Sequence, residues 1–224
     1  MHTSAVEDYL KATYEIARLG GRVTTSALAE RLGVTPASVT GMVKKLAAMR
    51  LVKHERYHGF KLTPSGRRIA IEMIRHHRLV ETYLHDALGM PWDQVHDEAE
   101  KWEHVLSEDL EARMDAALGH PTTDPHGAPI PSPALDLVEE DHPPLLRLDA
   151  GQSGVIAEVS DDDPELLRYF GGLGLFPGTA CRVVTGPPYV EGPVTIKLLN
   201  GDRAGTEVSV GHRAAAHLFI RDIQ

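Results

Sequence analysis

The sequence predicts a mainly α chain with a small β domain. It would comprise an N-terminal winged helix-turn-helix, a helical dimerisation domain and a C-terminal SH3-like β-barrel. Three observations carry this reading. Two short apolar-periodic segments meet at Gly33-Val34 and are followed by a hairpin pattern. Two longer helical stretches then follow with a short connection between them. After a run of prolines, short β-runs alternate with glycine turns. The expected boundaries are 1–72 for the winged domain, 73–120 for the helical domain, 121–145 for a Pro-rich linker and 146–224 for the barrel.

In the head, Val6, Leu10, Thr13, Tyr14 and Ala17 keep helical spacing up to Gly20-Gly21. Thr24-Thr25-Ser26 offers an N-cap for a second helix, Ala27 to Leu32. Thr35 and Pro36 open a third, which runs to about Met49 with Val39, Met42, Val43 and Leu46 inward. Leu51 to Glu55 and Phe60 to Thr63 read as strands around a turn at Tyr57-His58-Gly59. The outer face of the third helix would carry Thr35, Ala37, Ser38, Thr40, Gly41, Lys44 and Lys45. Small hydroxyl and methyl groups near a helix start can approach base edges. Lys44, Lys45 and Arg50 can hold phosphates, and Arg56 and Lys61 put charge on the wing.

The charge distribution agrees. The 224 residues carry a net charge of −9, which argues against nucleic acid. Residues 1–72, however, have a balance of +6 and residues 73–224 one of −15. A basic head on an acidic body suggests a polyanion partner for the head and something cationic, such as divalent metal ions, for the body, and with the winged helix-turn-helix pattern the expected polyanion is double-stranded operator DNA. With 42% apolar and 25% charged residues, the chain is globular and long enough for two small cores. Met1 to Leu10 carries acids where a signal peptide would need a basic start. No apolar run approaches the roughly 18 residues of a membrane span. Cys181 is the only cysteine, which excludes a disulfide framework and points to a reducing cytoplasm.

In the middle, Arg67 to Leu88 reads as one long helix carrying His77 and Glu81 four residues apart. A second is expected from the nine residues His96-Asp97-Glu98-Ala99-Glu100-Lys101-Trp102-Glu103-His104 to about Leu118. At about 100° per residue, His96, Glu100, Glu103 and His104 share roughly a third of the circumference. Val95, Ala99, Trp102, Leu106 and Leu110 form an apolar stripe beside them. Two imidazoles and two carboxylates on one arc are donors for a first-row metal ion. The apolar stripes suit a dimer interface, and a dimer would present two recognition helices to a palindromic operator. Residues 121–144 contain seven prolines, the composition of an extended linker. Strands are expected at Val155–Val159, Thr179–Val184, Thr195–Leu199, Glu207–Val210 and Leu218–Ile220, with one helix from Pro164 to Phe170.

These motifs resemble the diphtheria toxin repressor family of metal-dependent transcriptional regulators, over nearly the whole chain. The resemblance rests on Glu7-Asp8-Tyr9-Leu10, the helix-turn-helix with its wing, and Leu62-Thr63-Pro64-Ser65-Gly66. It rests further on His76-His77-Arg78-Leu79-Val80-Glu81, on the stretch 96–104, and on Leu173-Gly174-Leu175-Phe176-Pro177-Gly178 in the tail. It implies two metal sites. One would use Asp8, Glu100, Glu103 and His104. The other would use His77, Glu81 and His96, completed by tail carboxylates among Asp161, Asp162 and Glu165. Iron-responsive members carry methionine and cysteine where Asp8 and Glu100 stand, so the carboxylates here point to Mn²⁺, with Fe²⁺ as the alternative. Short manganese-responsive members carry a glutamate where this chain has Lys11, so their second-site arrangement does not transfer.

The resulting expectation is a metal-activated repressor of metal-homeostasis genes. Without metal, Asp8, Glu100 and Glu103 would repel one another and leave the first helix loosely held. Two rivals are a winged-helix regulator of an organic ligand and a zinc hydrolase. The latter would need a histidine at the start of Glu100-Lys101-Trp102-Glu103-His104, and His96 lies four residues before that position. No enzyme activity is expected.

Overall fold

The computed structural model describes residues 3–18, 20–55, 59–138, 140–186 and 192–224. They form two compact units. The first consists of Met1–His77, Lys101–Glu111 and Pro131–Leu137, and the second of Arg78–Glu100, Ala112–Ile130 and Val138–Gln224.

In the first unit, α1 (Ser4–Arg18), α2 (Thr25–Arg31) and α3 (Pro36–Ala48) are followed by β1 (Val52–Glu55) and β2 (Gly59–Leu62). Thr24 accepts a hydrogen bond from the Ala27 amide, and Thr35 accepts one from the Ser38 amide, so α2 and α3 each start on a hydroxyl cap. Val6, Leu10, Leu28, Val39, Leu46, Ile71 and Ile74 close one core. The wing strands are antiparallel, with Val52 opposite Leu62 and His54 opposite Phe60. Gly59 has φ +83°, and a Cβ there would lie 2.1 Å from the Val23 carbonyl oxygen. The root of the wing therefore requires glycine on both counts. The expected wing residue Arg56 and the turn residues Tyr57 and His58 lie outside the described residues.

The middle differs from expectation in three ways. Helix α4 (Pro64–Thr82) ends in a wide π-type turn over Tyr83–Ala87, so it does not run regularly to Leu88. The helix carrying the acidic motif stops: α5 is Val95–Trp102, and α6 restarts at Glu108–Ala117. The restart has a local cause. The Ser107 hydroxyl accepts from the Leu110 amide, and Glu108, Asp109 and Glu111 fill the first turn. Trp102, Val105 and Leu110 are exposed, so the apolar stripe does not continue inward.

The third difference is the Pro-rich segment, which is folded rather than an extended linker. Asp124, His126, Ala128 and Ile130 are buried. The Asp124 carboxylate accepts from the His126 and Ala128 amides, which makes Asp-Pro-His-Gly a tight turn. Gly127 has φ +91°, and a Cβ there would meet the Ala157 carbonyl oxygen at 2.0 Å. Residues Pro131–Leu137 belong to the first unit, where Leu135 and Leu137 pack on its core.

The tail of the second unit is a five-stranded antiparallel sheet in the order β6-β5-β4-β3-β7. Its strands are β3 (Ser153–Val159), β4 (Ala180–Thr185), β5 (Val194–Leu198), β6 (Glu207–Val210) and β7 (Leu218–Arg221). Helix α7 (Pro164–Leu173) lies between β3 and β4, and α8 (His212–Ala215) between β6 and β7. Ile156, Leu167, Phe170, Cys181, Ile196 and Ile220 are in its core. This is the expected SH3-like domain, with strand positions close to those the alternation predicts.

Candidate metal centres and DNA-facing helix

Metal-donor side chains cluster within each unit among the described residues. In the first unit, Asp8, Glu103 and His104 come together. Asp8 sits on α1, and Glu103 and His104 form the turn where α5 ends. His104 Nε2 is 2.8 Å from Asp8 Oδ1 and 3.6 Å from Glu103 Oε1. Its Nδ1 is 2.8 Å from Glu7 Oε2. Glu7 thus orients the ring and leaves Nε2 facing the carboxylates, the usual division of labour for a ligating imidazole.

Glu103 is 1% exposed, and its two oxygens have different surroundings. Oε2 is 2.7 Å from Lys11 Nζ and 2.5 Å from His77 Nδ1. Oε1 is buried with no hydrogen-bond partner. Burial pushes the Glu103 carboxyl up, but the His77 hydrogen bond and the charges of Lys11 and His77 outweigh it, holding the group at about 2. The expected repulsion at Glu103 is therefore already relieved by a cation on α1. His76 and Arg75 anchor the turn. His76 Nδ1 lies 3.0 Å from the Glu103 carbonyl oxygen, and both side chains pair with Glu111. Burial works to lower the His76 pKa, but the Glu111 carboxylate and the Glu103 carbonyl raise it overall.

In the second unit, Glu81, Asp124 and His126 are buried together, and His96 and Asp161 join at Glu81. His96 Nδ1 is 3.4 Å from Glu81 Oε1 and 3.6 Å from Asp161 Oδ2. His126 Nε2 lies 2.8 Å from the Trp92 carbonyl oxygen. Its Nδ1 is turned to Glu81 Oε2 at 3.8 Å and has no hydrogen-bond partner. Asp124 Oδ2 also lacks one, with Arg78 Nε 3.7 Å away. Burial depresses the two imidazoles, but the surrounding carboxylates prevail. Asp161 and Glu81 raise His96 to about 11, and Glu81, Asp124 and Asp161 raise His126 to about 9. Burial and the Glu81 charge lift Asp124 to about 7. Such a crowd of carboxylates, with buried oxygen and nitrogen atoms lacking hydrogen bonds, fits a divalent cation in place of protons. The same test is met in the first unit by Glu103 Oε1.

Glu100 and His77 also stand among the donor groups. Glu100 is on α5 in the second unit, 4.0 Å from His96 Nε2. His77 belongs to the first unit, where it meets Lys11 and Glu103. Asp162 and Glu165 are exposed and stand outside the donor clusters found among the described residues. Asp163 caps α7 instead. Sequence reasoning missed Glu7, Asp124 and His126. The signal for the last two was the turn chemistry of Asp-Pro-His-Gly, hidden within a proline count.

On α3, Thr35, Ala37, Ser38, Thr40, Lys44, Lys45 and the following Arg50 are all exposed. The Thr40 hydroxyl donates to the Pro36 carbonyl, and Thr35 and Ser38 hydroxyls lie 3.0 Å apart. These hydroxyls are partly engaged in their own helix, while the lysines project from it.

A winged helix-turn-helix joined to clustered metal donors defines a metal-dependent DNA-binding regulator. Residues 1–60 match the profile of the iron-dependent repressor N-terminal DNA-binding domain. Residues 63–132 match its metal-binding and dimerisation domain, and residues 144–222 match the FeoA domain. The chain belongs to the iron-dependent repressor family, that of the diphtheria toxin repressor. It is 34% identical over 194 residues to the iron-dependent repressor IdeR of Mycobacterium leprae, covering 81% of this chain and 84% of that protein. It is 36% identical over 162 residues to IdeR of Mycobacterium tuberculosis strain H37Rv, covering 72% of this chain and 63% of the relative. A solved manganese-dependent transcriptional repressor in complex with manganese superposes with a TM-score of 0.88 at 38% identity, over 96% of this chain and 98% of that one. Family members are transcriptional repressors, not enzymes. Among the described residues, no helix is long and apolar enough to cross a membrane.

Proposed function

We propose that this repressor is activated by Mn²⁺ and binds palindromic operators of metal-homeostasis genes as a homodimer in the cytoplasm. The observation that carries the reading is the oxygen of Glu103 left buried without a hydrogen bond beside Asp8 and His104. The donor atoms of both clusters are oxygen and nitrogen only. Hard oxygen donors without thiolate or thioether suit Mn²⁺, the weakest binder in the first-row series, by removing the preference for softer ions. Asp8, Glu103 and His104 would hold the first ion, with Glu100 added from the family resemblance. Glu81, Asp124, His126, His96 and Asp161 would hold the second, with His77 added from the family resemblance.

Bound metal supplies positive charge that ties α1 to the turn at Glu103-His104. Asp8 on α1 then moves with that turn, and the recognition helix α3 has less freedom. The ordering cost is met before DNA arrives, which raises operator affinity. Thr35, Ala37, Ser38 and Thr40 would face base edges, and Lys44, Lys45, Arg50 and Arg56 would face phosphates.

The test is operator-fragment binding by fluorescence anisotropy, with Mn²⁺ and Fe²⁺ titrated anaerobically in parallel. Activation by Mn²⁺ at clearly lower concentration supports the proposal. Equal activation, or preference for Fe²⁺, keeps the family and overturns the metal choice. The iron-dependent relatives favour this second reading. Glu103→Ala is expected to abolish metal-stimulated binding while leaving the dimer intact.

A further inference from the structure

Resting on that metal reading of the first unit's cluster, we propose that Lys11 is a built-in counter-cation that sets the centre's metal threshold. Lys11 is one turn beyond Asp8 on α1. Its side chain is 8% exposed, with Nζ 2.7 Å from Glu103 Oε2 and 3.0 Å from His77 Nδ1. Nothing in composition calls for a lysine there, since long cations are rarely buried without a task.

The placement has two chemical consequences. Glu103 is shared: Oε2 stays with the ammonium and His77, so Oε1 is the oxygen turned to His104. The carboxylate is thereby limited to one-oxygen ligation. Secondly, an ion accepted by Oε1 and the ammonium on Oε2 are like charges on opposite sides of one carboxylate, in a buried setting where screening is weak. The ammonium lowers the centre's affinity for a divalent ion and raises the concentration at which the centre fills. A purely positioning lysine would have the opposite sign, because its loss would loosen Glu103 and weaken metal binding.

The experiment uses the full chain with His126→Ala, which removes an imidazole from the second cluster. Mn²⁺ binding is followed by electron paramagnetic resonance of the free ion at fixed pH and salt, and metal-free Tm by circular dichroism. Absence of binding to the centre with Lys11 in place would overturn the metal reading itself. Lys11→Gln and Lys11→Met are two neutral replacements of different shape. Each is expected to bind Mn²⁺ about tenfold or more tightly, with unchanged stoichiometry, a lower metal-free Tm and a larger Tm rise on adding Mn²⁺. Lys11→Arg keeps the charge and is expected to bind like the parent. Unchanged or weaker binding in either neutral variant, or a smaller Mn²⁺-induced Tm rise, would overturn the proposal.

Discussion

Glu103→Gln removes a charge at nearly constant volume, which makes the energetics of the buried cluster measurable without metal. Glu103 loses its ionic contacts to Lys11 at 2.7 Å and His77 at 2.5 Å, leaving the Lys11 ammonium buried beside an amide. Two routes give the magnitude. Its carboxyl lies at about 2 against an ordinary 4.5, because the His77 hydrogen bond and the Lys11 and His77 charges overcome burial. At about 1.4 kcal/mol per pH unit this is worth about 3 kcal/mol at neutral pH. Unpairing a buried charge costs about 3–5 kcal/mol, which agrees. Because the folded-state pKa is depressed, the contribution is complete above 4.5 and is lost as pH falls towards 2. Urea unfolding of the metal-free parent and variant is expected to show a gap of about 3 kcal/mol at pH 7, roughly half of that near pH 3, and almost none below pH 2. A gap under about 1 kcal/mol at pH 7, or one that does not shrink in acid, would refute the reasoning.

Three further outcomes are expected. Asp163→Ala removes the acceptor for the Glu165 and Leu166 amides, and thermal unfolding is expected to show a loss of about 1 kcal/mol; no loss would show that the cap is idle. Cys181 is fully buried and burial pushes its thiol up to about 11, so iodoacetamide at pH 8 is expected to label it only on unfolding; mass spectrometry showing rapid labelling of the native chain would contradict this. Lys44→Ala and Lys45→Ala are each expected to weaken specific and non-specific DNA binding alike and to lower the salt slope by about one; a loss confined to one operator sequence would mean base contact instead.

Much of the fold was legible because its signals are local. Thr35-Pro36 after Gly33 marks a cap and a turn wherever it occurs, and the alternation in Val194–Leu198 allows one face to be buried. The donor types on residues 96–104 were legible too, but the end of their helix at Trp102 was not. Helical periodicity assumes an unbroken helix, and Ser107-Glu108-Asp109 is a start signal inside what reads as a continuing stripe. The Asp124-His126 turn escaped because proline content describes chain stiffness, whereas its structure depends on one carboxylate collecting two amides. Lys11 in its buried role was invisible for a different reason: its partners are 66 and 92 residues away.

The interruption between α5 and α6 also bears on how such a chain can change over generations. Within a continuous helix, one inserted residue would turn every later side chain by about 100°, and all donors beyond it would be misdirected together. The irregular stretch 103–107 breaks that coupling. A length change around Val105 or Leu106 can be absorbed locally, leaving the face of α5 that carries His96 unrotated.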